Sequence, residues 1–442
     1  MQKLTWRQLA AVGSMLFGLF FGAGNLIFPV AMGQLAGRNL WAAAAGFLIT
    51  GVGLPLLGVA ALGLSRESGL LALSSRVGRG YGLAFTCVLY LTIGPFFAIP
   101  RCATVSYTVG IAPLAPGGGA ALGVFSLAFF AVVLFFSLRP GQILTWVGKV
   151  LNPLFLAFLA VLVLRALAAP LGQAAAVEPA GAYRAAPFAT GLLEGYNTMD
   201  ALAGLAFGIL VVQAIRRLGV RAPGDVAVST VCAGVFSSAL MAGIYLLVTL
   251  VGAQSRGRFA AAANGGEALA QIAAAYFGRA GALILAATVT VACLKTAVGL
   301  ITSCGETFVE IFPHGPSYRV WAVGFCLLSF LIANLGLDAI LAWSQPVLMA
   351  LYPLAIVLIL LTLAGPLYGD DRAVLRGGLG CTAAAAVLEF LRALPAGAAP
   401  AVQPVVDWAA AWLPLYAKGF GWVLPAAVGC AAGLVVRARR SR

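Results

Sequence analysis

The sequence predicts an all-α integral membrane protein of about twelve transmembrane helices, and three observations carry that prediction. First, 62% of the 442 residues are hydrophobic and only 9% are charged, with a mean hydropathy of +1.02. A soluble domain carries about 25% charged residues, so lipid has to be the solvent for so much apolar surface. Second, apolar runs of about 20 residues, the length that crosses a bilayer, recur along the whole chain. Third, with the N-terminus placed in the cytoplasm, 17 Lys and Arg fall on the inside and 8 on the outside; Arg101 and Lys295, within spans, complete the 27. That bias follows the positive-inside rule and puts both termini in the cytoplasm. It also accounts for the net charge of +14 without a nucleic acid partner, and no RNA- or DNA-reading motif accompanies it.

The first span, 8–36, follows Lys3 and Arg7 as the core of a signal peptide would, but its apolar run continues to Leu35 and further spans come after it. Next come 41–64, 81–111, 121–138 and 146–168. The stretch Ala169 to Pro187 is rich in Ala, Pro and Gly and reads as an irregular loop. Spans 190–213 and 225–252 follow. "GEALAQIAAAYFG" then suggests a short surface helix before the span 281–312. The last four spans are 320–337, 339–363, 374–394 and 415–436. The eight cysteines lie in apolar runs without a CxxC pair, and the single histidine, His314, is in a loop. A disulfide framework, a metal site and histidine-based catalysis are therefore not expected, nor is any cofactor.

Two spans are interrupted. In "FGAGN" and the residues after it, Gly22 and Gly24 loosen the backbone, Asn25 offers a side chain to a freed group, and Pro29 removes a donor. One reading is close helix packing through small residues. The other is a functional break, tolerated in lipid only where protein or a water-filled cavity replaces the lost partners. The sixth span favours the second reading. "LLEGYNTMDALAG" brings Glu194, Asn197, Thr198 and Asp200 within about one and a half turns, and two carboxylates in a membrane are more than packing needs. Spans one and six are corresponding members of two five-helix halves. Paired interruptions of this kind point to an inverted-repeat secondary transporter, with helix N-termini turned to an anionic group and freed carbonyls to a cation. The repeats run over 8–168 and 190–363, followed by two C-terminal helices over 374–436.

Two further stretches carry charge. In span eight, Lys295, Gly299, Thr302 and Glu306 fall on one helix stripe with Thr296 and Ser303 beside them. The stripe is either a packing face with a lysine–glutamate pair or one wall of an ion pathway. In span three, Pro95 and Pro100 should distort the helix, and Arg101 should find an anion in Glu194 or Asp200, most simply as a structural salt bridge. Phe96 and Phe97 are either core aromatics or walls of an apolar pocket.

At these residues the chain resembles the LIVCS family, the bacterial branched-chain amino acid:cation symporters of the BrnQ type. The resemblance rests on "LFFGAGNLIFP", "GFLITGVGLPLLGV", "IGPFFAIPR", "EGYNTMDALAGLAFG" and "ACLKTAVGLITSCGE", in that order over nearly the whole chain. It implies a LeuT-type fold in the cell membrane and import of leucine, isoleucine and valine driven by sodium or a proton. By that similarity Ala23, Gly24 and Asn25 with Tyr196, Asn197 and Thr198 line the substrate site. Backbone amides take the carboxylate and apolar groups take the side chain. A sodium site would draw on carbonyls near Gly18, Phe21 and Ala292 and on hydroxyls at positions 295 and 296.

Thr296 fits the sodium pattern. Lys295 does not, because an ammonium only donates. Either it occupies the sodium position, making the protein proton-coupled or cation-independent, or it points away and sodium binds normally. Glu194, Asp200 and Glu306, with Arg101, are candidates for a proton or charge network. The rivals are a carrier of another small amino acid or amine, a channel, and a membrane enzyme. The enzyme reading lacks paired catalytic residues, and its carboxylates are scattered over different spans.

Overall fold

The computed structural model describes residues 4–22, 24–65, 67, 69–113, 118–139, 152–395 and 397–440. Helices dominate, and no strand occurs among the described residues. The first span is broken into α1 (Trp6–Phe20) and α2 (Gly24–Ala36). A capping box starts α1: the Gln8 amide donates to Thr5 Oγ1 at 3.3 Å and the Thr5 amide to Gln8 Oε1 at 2.9 Å. Pro29 lies inside α2, past the break. Its missing N–H frees the carbonyl one turn back, near the interruption.

Gly37, at φ +49°, turns the chain into α3 (Leu40–Leu48), which passes through a π-helical turn, Ile49–Gly53, into α4 (Leu54–Ser65). The short α5 (Leu70–Ser75) precedes span three. That span is α6 (Arg79–Leu91), a π-turn at Thr92–Phe96 and α7 (Ala98–Ser106). The distortion falls at Gly94 and Pro95 as expected. Pro100 does not distort, because it sits in the first turn of α7, where no helical N–H bond is lost. Cys304 Sγ, 3.5 Å from the Tyr90 carbonyl, and Ser329 Oγ, 3.4 Å from the Pro95 carbonyl, serve the backbone freed by the kink.

α8 (Gly118–Ser137) and α9 (Asn152–Ala168) follow, with residues 146–151 of the predicted fifth span outside the described residues. The loop after α9 is irregular apart from two 3-10 turns. The sixth span is α10 (Pro187–Glu194), a 3-10 turn at Gly195–Thr198 and α11 (Asp200–Arg217), bent by 45°. α12 (Pro223–Ser255) leads to α13 (Gly265–Ile311), which is interrupted at Gly278. The segment before Gly278 is the predicted short helix, but one face of it is buried and not at the surface: Gly265 packs on the Ile27 carbonyl of α2.

α14 (Tyr318–Ala333), α15 (Leu337–Leu363) and α16 (Arg372–Arg392) come next. α17 (Ala399–Trp412) was not foreseen; a proline in its first turn starts it, and its apolar side is largely exposed. Positive φ at Leu415 and Gly419 delays the last helix, α18 (Val423–Arg440), beyond its predicted start at 415.

Helix therefore lies in every predicted span, and the chain is a multi-pass membrane protein. Length and apolarity alone select seven crossing stretches among the described residues, or eight with the bent pair. The 42-residue stretch Gly24–Ser65 would measure about 63 Å as a straight helix. That is twice a bilayer core, and the turn at Gly37 divides it.

Glycine sets the closest helix approach. A Cβ on Gly33 of α2 would strike the Thr249 carbonyl of α12, and one on Gly252 of α12 would strike the Val30 carbonyl of α2. Gln34 Nε2 donates to Ser255 Oγ at 2.9 Å, and the Ala262 amide donates to Gln34 Oε1 at 3.1 Å, fastening the same seam at its end. Gly33→Val should therefore cost about 3 kcal/mol by overpacking. Thermal unfolding of the detergent-solubilised chain should show a lowered midpoint, while the same change at Gly224, which has open space around it, should leave the midpoint nearly unchanged.

Candidate functional site

The two breaks meet. Asn25, in the first turn of α2, accepts from the Gly22 amide through Oδ1 at 2.9 Å, which ties off one donor released by the interruption. Its Nδ2 donates to Asp200 Oδ2 at 2.6 Å and also to Tyr245 Oη. Tyr245 in turn donates to the same Asp200 oxygen at 2.9 Å. Asn25 and Asp200 are each 2% exposed and Tyr245 is 1% exposed. A closed ring of buried hydrogen bonds thus joins the first span, the sixth and α12.

Asp200 occupies the first turn of α11, where the positive end of the helix favours a carboxylate. Its amide donates to Thr198 Oγ1 at 3.3 Å, and Thr198 donates to the Gly195 carbonyl at 2.9 Å. Met199 between them is left-handed, φ +64°, a conformation that costs a non-glycine residue about 1–3 kcal/mol and so has to be held by its surroundings. The holding contacts are identifiable. Thr50 Oγ1, from the π-turn of span two, donates to the Leu192 carbonyl at 2.7 Å, and Gly195 packs directly on Thr50. Tyr196 stacks on Tyr352 of α15 with ring centroids 4.0 Å apart. Tyr90 Oη donates to the Ala206 carbonyl at 3.2 Å.

Arg101 differs from expectation. It forms no ion pair among the described residues. Its Nη1 donates to the Asn197 carbonyl at 2.7 Å and its Nη2 lies 3.5 Å from the Thr198 carbonyl. The 3-10 break presents these two carbonyls to the guanidinium, while Asp200 is held through Oδ2 by Asn25 and Tyr245. The Phe28 ring lies 5.2 Å below the guanidinium.

These groups surround one cavity. Gly22, Gly24, Asn25, Arg101, Thr198, Asp200 and Thr296 line it, together with apolar walls from Leu19, Phe20, Ile93, Ala98, Ala203, Phe207 and Leu300. Of the expected substrate residues, Gly24, Asn25 and Thr198 are in the lining. Ala23 lies outside the described residues. Tyr196 and Asn197 are buried just behind the lining, one in the aromatic stack and the other lending its carbonyl to Arg101. Phe96 and Phe97 stand apart; they pair edge-to-face with each other, and Phe96 is 37% exposed. The kink at Gly94 and Pro95 turns Ile93 and Ala98 to the cavity in their place.

Of the expected ion-site residues, Gly18 and Phe21 are buried at the end of α1. Thr296 packs against Gly22, its Oγ1 3.3 Å from where a Cβ on that glycine would stand, and donates to the Ala292 carbonyl at 3.1 Å. Lys295 is next to Thr296 but not in the cavity lining. It does not pair with Glu306. Eleven residues of continuous helix separate the two by about 16 Å, and Glu306 is exposed. Glu194 ends α10 outside the lining.

Tyr245 was not anticipated. The available signal was a tyrosine in the apolar run "GIYLLVTL", since a buried tyrosine needs a partner for its O–H. Tyr245→Phe removes the donor to a buried carboxylate and should destabilise the solubilised chain by about 1–3 kcal/mol. Thermal unfolding should show that loss, and Asn25→Ala should lower the midpoint further because it also frees the Gly22 amide.

Comparisons with known proteins bear on the family and the fold. The profile of the family described as "Branched-chain amino acid transport protein" matches residues 6–440. The branched-chain amino acid permease BrnQ of Lactobacillus delbrueckii subsp. lactis is 54% identical over 430 residues, 97% of this chain and 96% of the relative. A Pseudomonas aeruginosa protein named "Branched-chain amino acid transport system 2 carrier protein" is 42% identical, covering 98% of this chain and 97% of its own. Among solved structures, MHP1, a nucleobase-cation-symport-1 family transporter in a closed conformation with bromovinylhydantoin bound, superposes with a TM-score of 0.62 at 14% identity over 98% of this chain and 92% of its own. MhsT in complex with L-phenylalanine gives 0.56 at 15% identity, with both chains fully covered. These two carry the fold, the LeuT type with its first and sixth helices interrupted. The chain belongs to the branched-chain amino acid transport protein family.

Proposed function

We propose that this protein imports leucine, isoleucine and valine into the cell by symport with a cation, through alternating access. The observation that carries the proposal is the meeting of both helix breaks on one cavity lined by polar groups together with apolar side chains. The relatives are named for branched-chain amino acids as cargo. A branched aliphatic side chain suits walls made by Leu19, Phe20, Ile93, Ala203 and Phe207, because apolar contact carries affinity and a few polar groups set orientation. The α-amino and α-carboxyl groups then face the broken backbone near Gly24, Asn25 and Thr198.

The cation site is assigned to the contact between the first break and α13, with sodium as the leading ion. Thr296 Oγ1 beside Gly22, the Ala292 carbonyl and the end of α1 near Gly18 and Phe21 supply oxygen ligands of the kind a hard cation takes. Lys295, one residue from Thr296, favours a second reading in which its ammonium substitutes for the metal ion and coupling is to protons. The repeats are assigned to 8–168 and 190–363, with 374–436 trailing. The cell membrane is the site of action, with both termini cytoplasmic, on the strength of the charge bias.

The decisive experiment is labelled leucine uptake into proteoliposomes with an inward sodium gradient or an inward proton gradient imposed separately. Accumulation under sodium alone is expected. Accumulation under protons without sodium would transfer coupling to Lys295, and uptake under neither by folded protein would overturn the assignment. Lys295→Thr supplies the hydroxyl that the sodium pattern wants. Under the sodium reading its cation dependence should be unchanged; under the second reading it should gain sodium-dependent uptake.

A further inference from the structure

The cavity holds two opposite charges that do not pair with each other. Asp200 is spoken for by Asn25 and Tyr245 through one oxygen. Arg101, 4% exposed, uses two of its five donors on backbone carbonyls, and its Nε is buried without a partner. The guanidinium also lies against the start of α2: a Cβ built on Gly24 would stand 2.8 Å from Nη2. That helix has no acidic residue in its first turn, whereas α11 has Asp200 in its own. A cation thus rests on the positive end of a helix dipole, inside a membrane, with no carboxylate in direct ion-pair contact among the described residues. Both features attract an anion, and neither is explained by packing.

We infer that Arg101 is the receptor for the α-carboxylate of the transported amino acid, held jointly with the free amides at the start of α2, while the ammonium turns toward Asp200. The planar fork of a guanidinium matches a carboxylate in a way that backbone amides alone do not. The two unlike charges then lie at opposite ends of a bound zwitterion, which explains why they share a cavity without bonding to each other. Bonding to Asn197 and Thr198 keeps the guanidinium in place between cycles, and Gly24 leaves room for it because any side chain there would push it aside. This inference rests on the amino acid reading above, but not on which side chain the amino acid carries.

The test is binding of labelled leucine to the purified full-length chain in nanodiscs, with unlabelled leucine and leucinamide as competitors. Leucinamide keeps the ammonium and side chain and replaces the carboxylate by a neutral amide. On the unaltered protein it should compete at least about 30-fold more weakly than leucine, the lower end of what losing one partner of a buried charge pair costs. Arg101→Gln should bring leucine down toward leucinamide while leaving leucinamide itself nearly unchanged, and Arg101→Lys should fall between. Equal competition by the two compounds on the unaltered protein would overturn the inference without any variant being needed. So would a parallel loss for both compounds in Arg101→Gln, since a purely structural clamp would not distinguish them. If the protein bound none of leucine, isoleucine or valine, yet bound labelled phenylalanine in preference to phenylalaninamide, the cargo assignment would fail and the role of Arg101 would stand.

Discussion

In lipid, a backbone N–H or C=O without a partner costs several kcal/mol, and this structure leaves such groups at two places in its centre. Everything around the cavity follows from how they are served. At the first break the Asn25 side chain takes the Gly22 amide. At the second, Arg101 takes the carbonyls of Asn197 and Thr198, and Thr198 takes that of Gly195. None of these partners is a passive filler, because the groups that close the breaks also line the cavity.

The surrounding helices are shaped by the same demand. Broken spans lose the stiffness of a continuous hydrogen-bond ladder, so their halves have to be held by neighbours at short range. Glycine supplies the range: Gly33 and Gly252 bring α2 against α12, and Gly46 and Gly191 bring α3 against α10 until backbone touches backbone. Side-chain hydroxyls supply the direction, with Thr50 bonding to the Leu192 carbonyl and Tyr90 to the Ala206 carbonyl. Between them they hold Met199 in a left-handed conformation that a free chain would abandon. The strain falls at the bend where α11 is aimed at the cavity.

Much of this was legible from the sequence because its cause is local. Apolar runs, the glycines and asparagine of the first break, and the carboxylates of the sixth span are all properties of short strings, and helix and both breaks fall where those strings are. The parts that were not legible depend on partners distant in the chain. Tyr245 looks like any aromatic until Asn25 and Asp200 are placed beside it, across separations of 220 and 45 residues. Arg101 was expected to seek a carboxylate, yet helical carbonyls become acceptors only after a distant helix has broken, which charge counting does not see. Which of the two readings open for Phe96 and Phe97 applies also depends on a local break. The π-turn at Thr92–Phe96 and the kink at Gly94 decide which residues of "IGPFFAIPR" face inward, and Ile93 and Ala98 line the cavity. Lys295 and Glu306 share a stripe on a helical wheel but stand three turns apart along the axis.

The bonds at the cavity also sort the helices into two groups. Asn25, Asp200 and Tyr245 fasten the first span, the sixth and α12 to one another. Arg101 and Thr296 come from α7 and α13, which pack together on the other side. Between the groups, at the cavity, run the two bonds of Arg101 to the second break and the contact of Thr296 with Gly22 at the first. The proposed carboxylate and cation positions lie on this dividing surface, not inside either group. A ligand bound there touches both sides, so its affinity has to change if one group tilts against the other. A ligand can shift a conformational equilibrium only through such differential contact. On the proposed reading, cargo and ion would each bias the same movement from this cavity, and coupling between them would need no direct bond from one to the other.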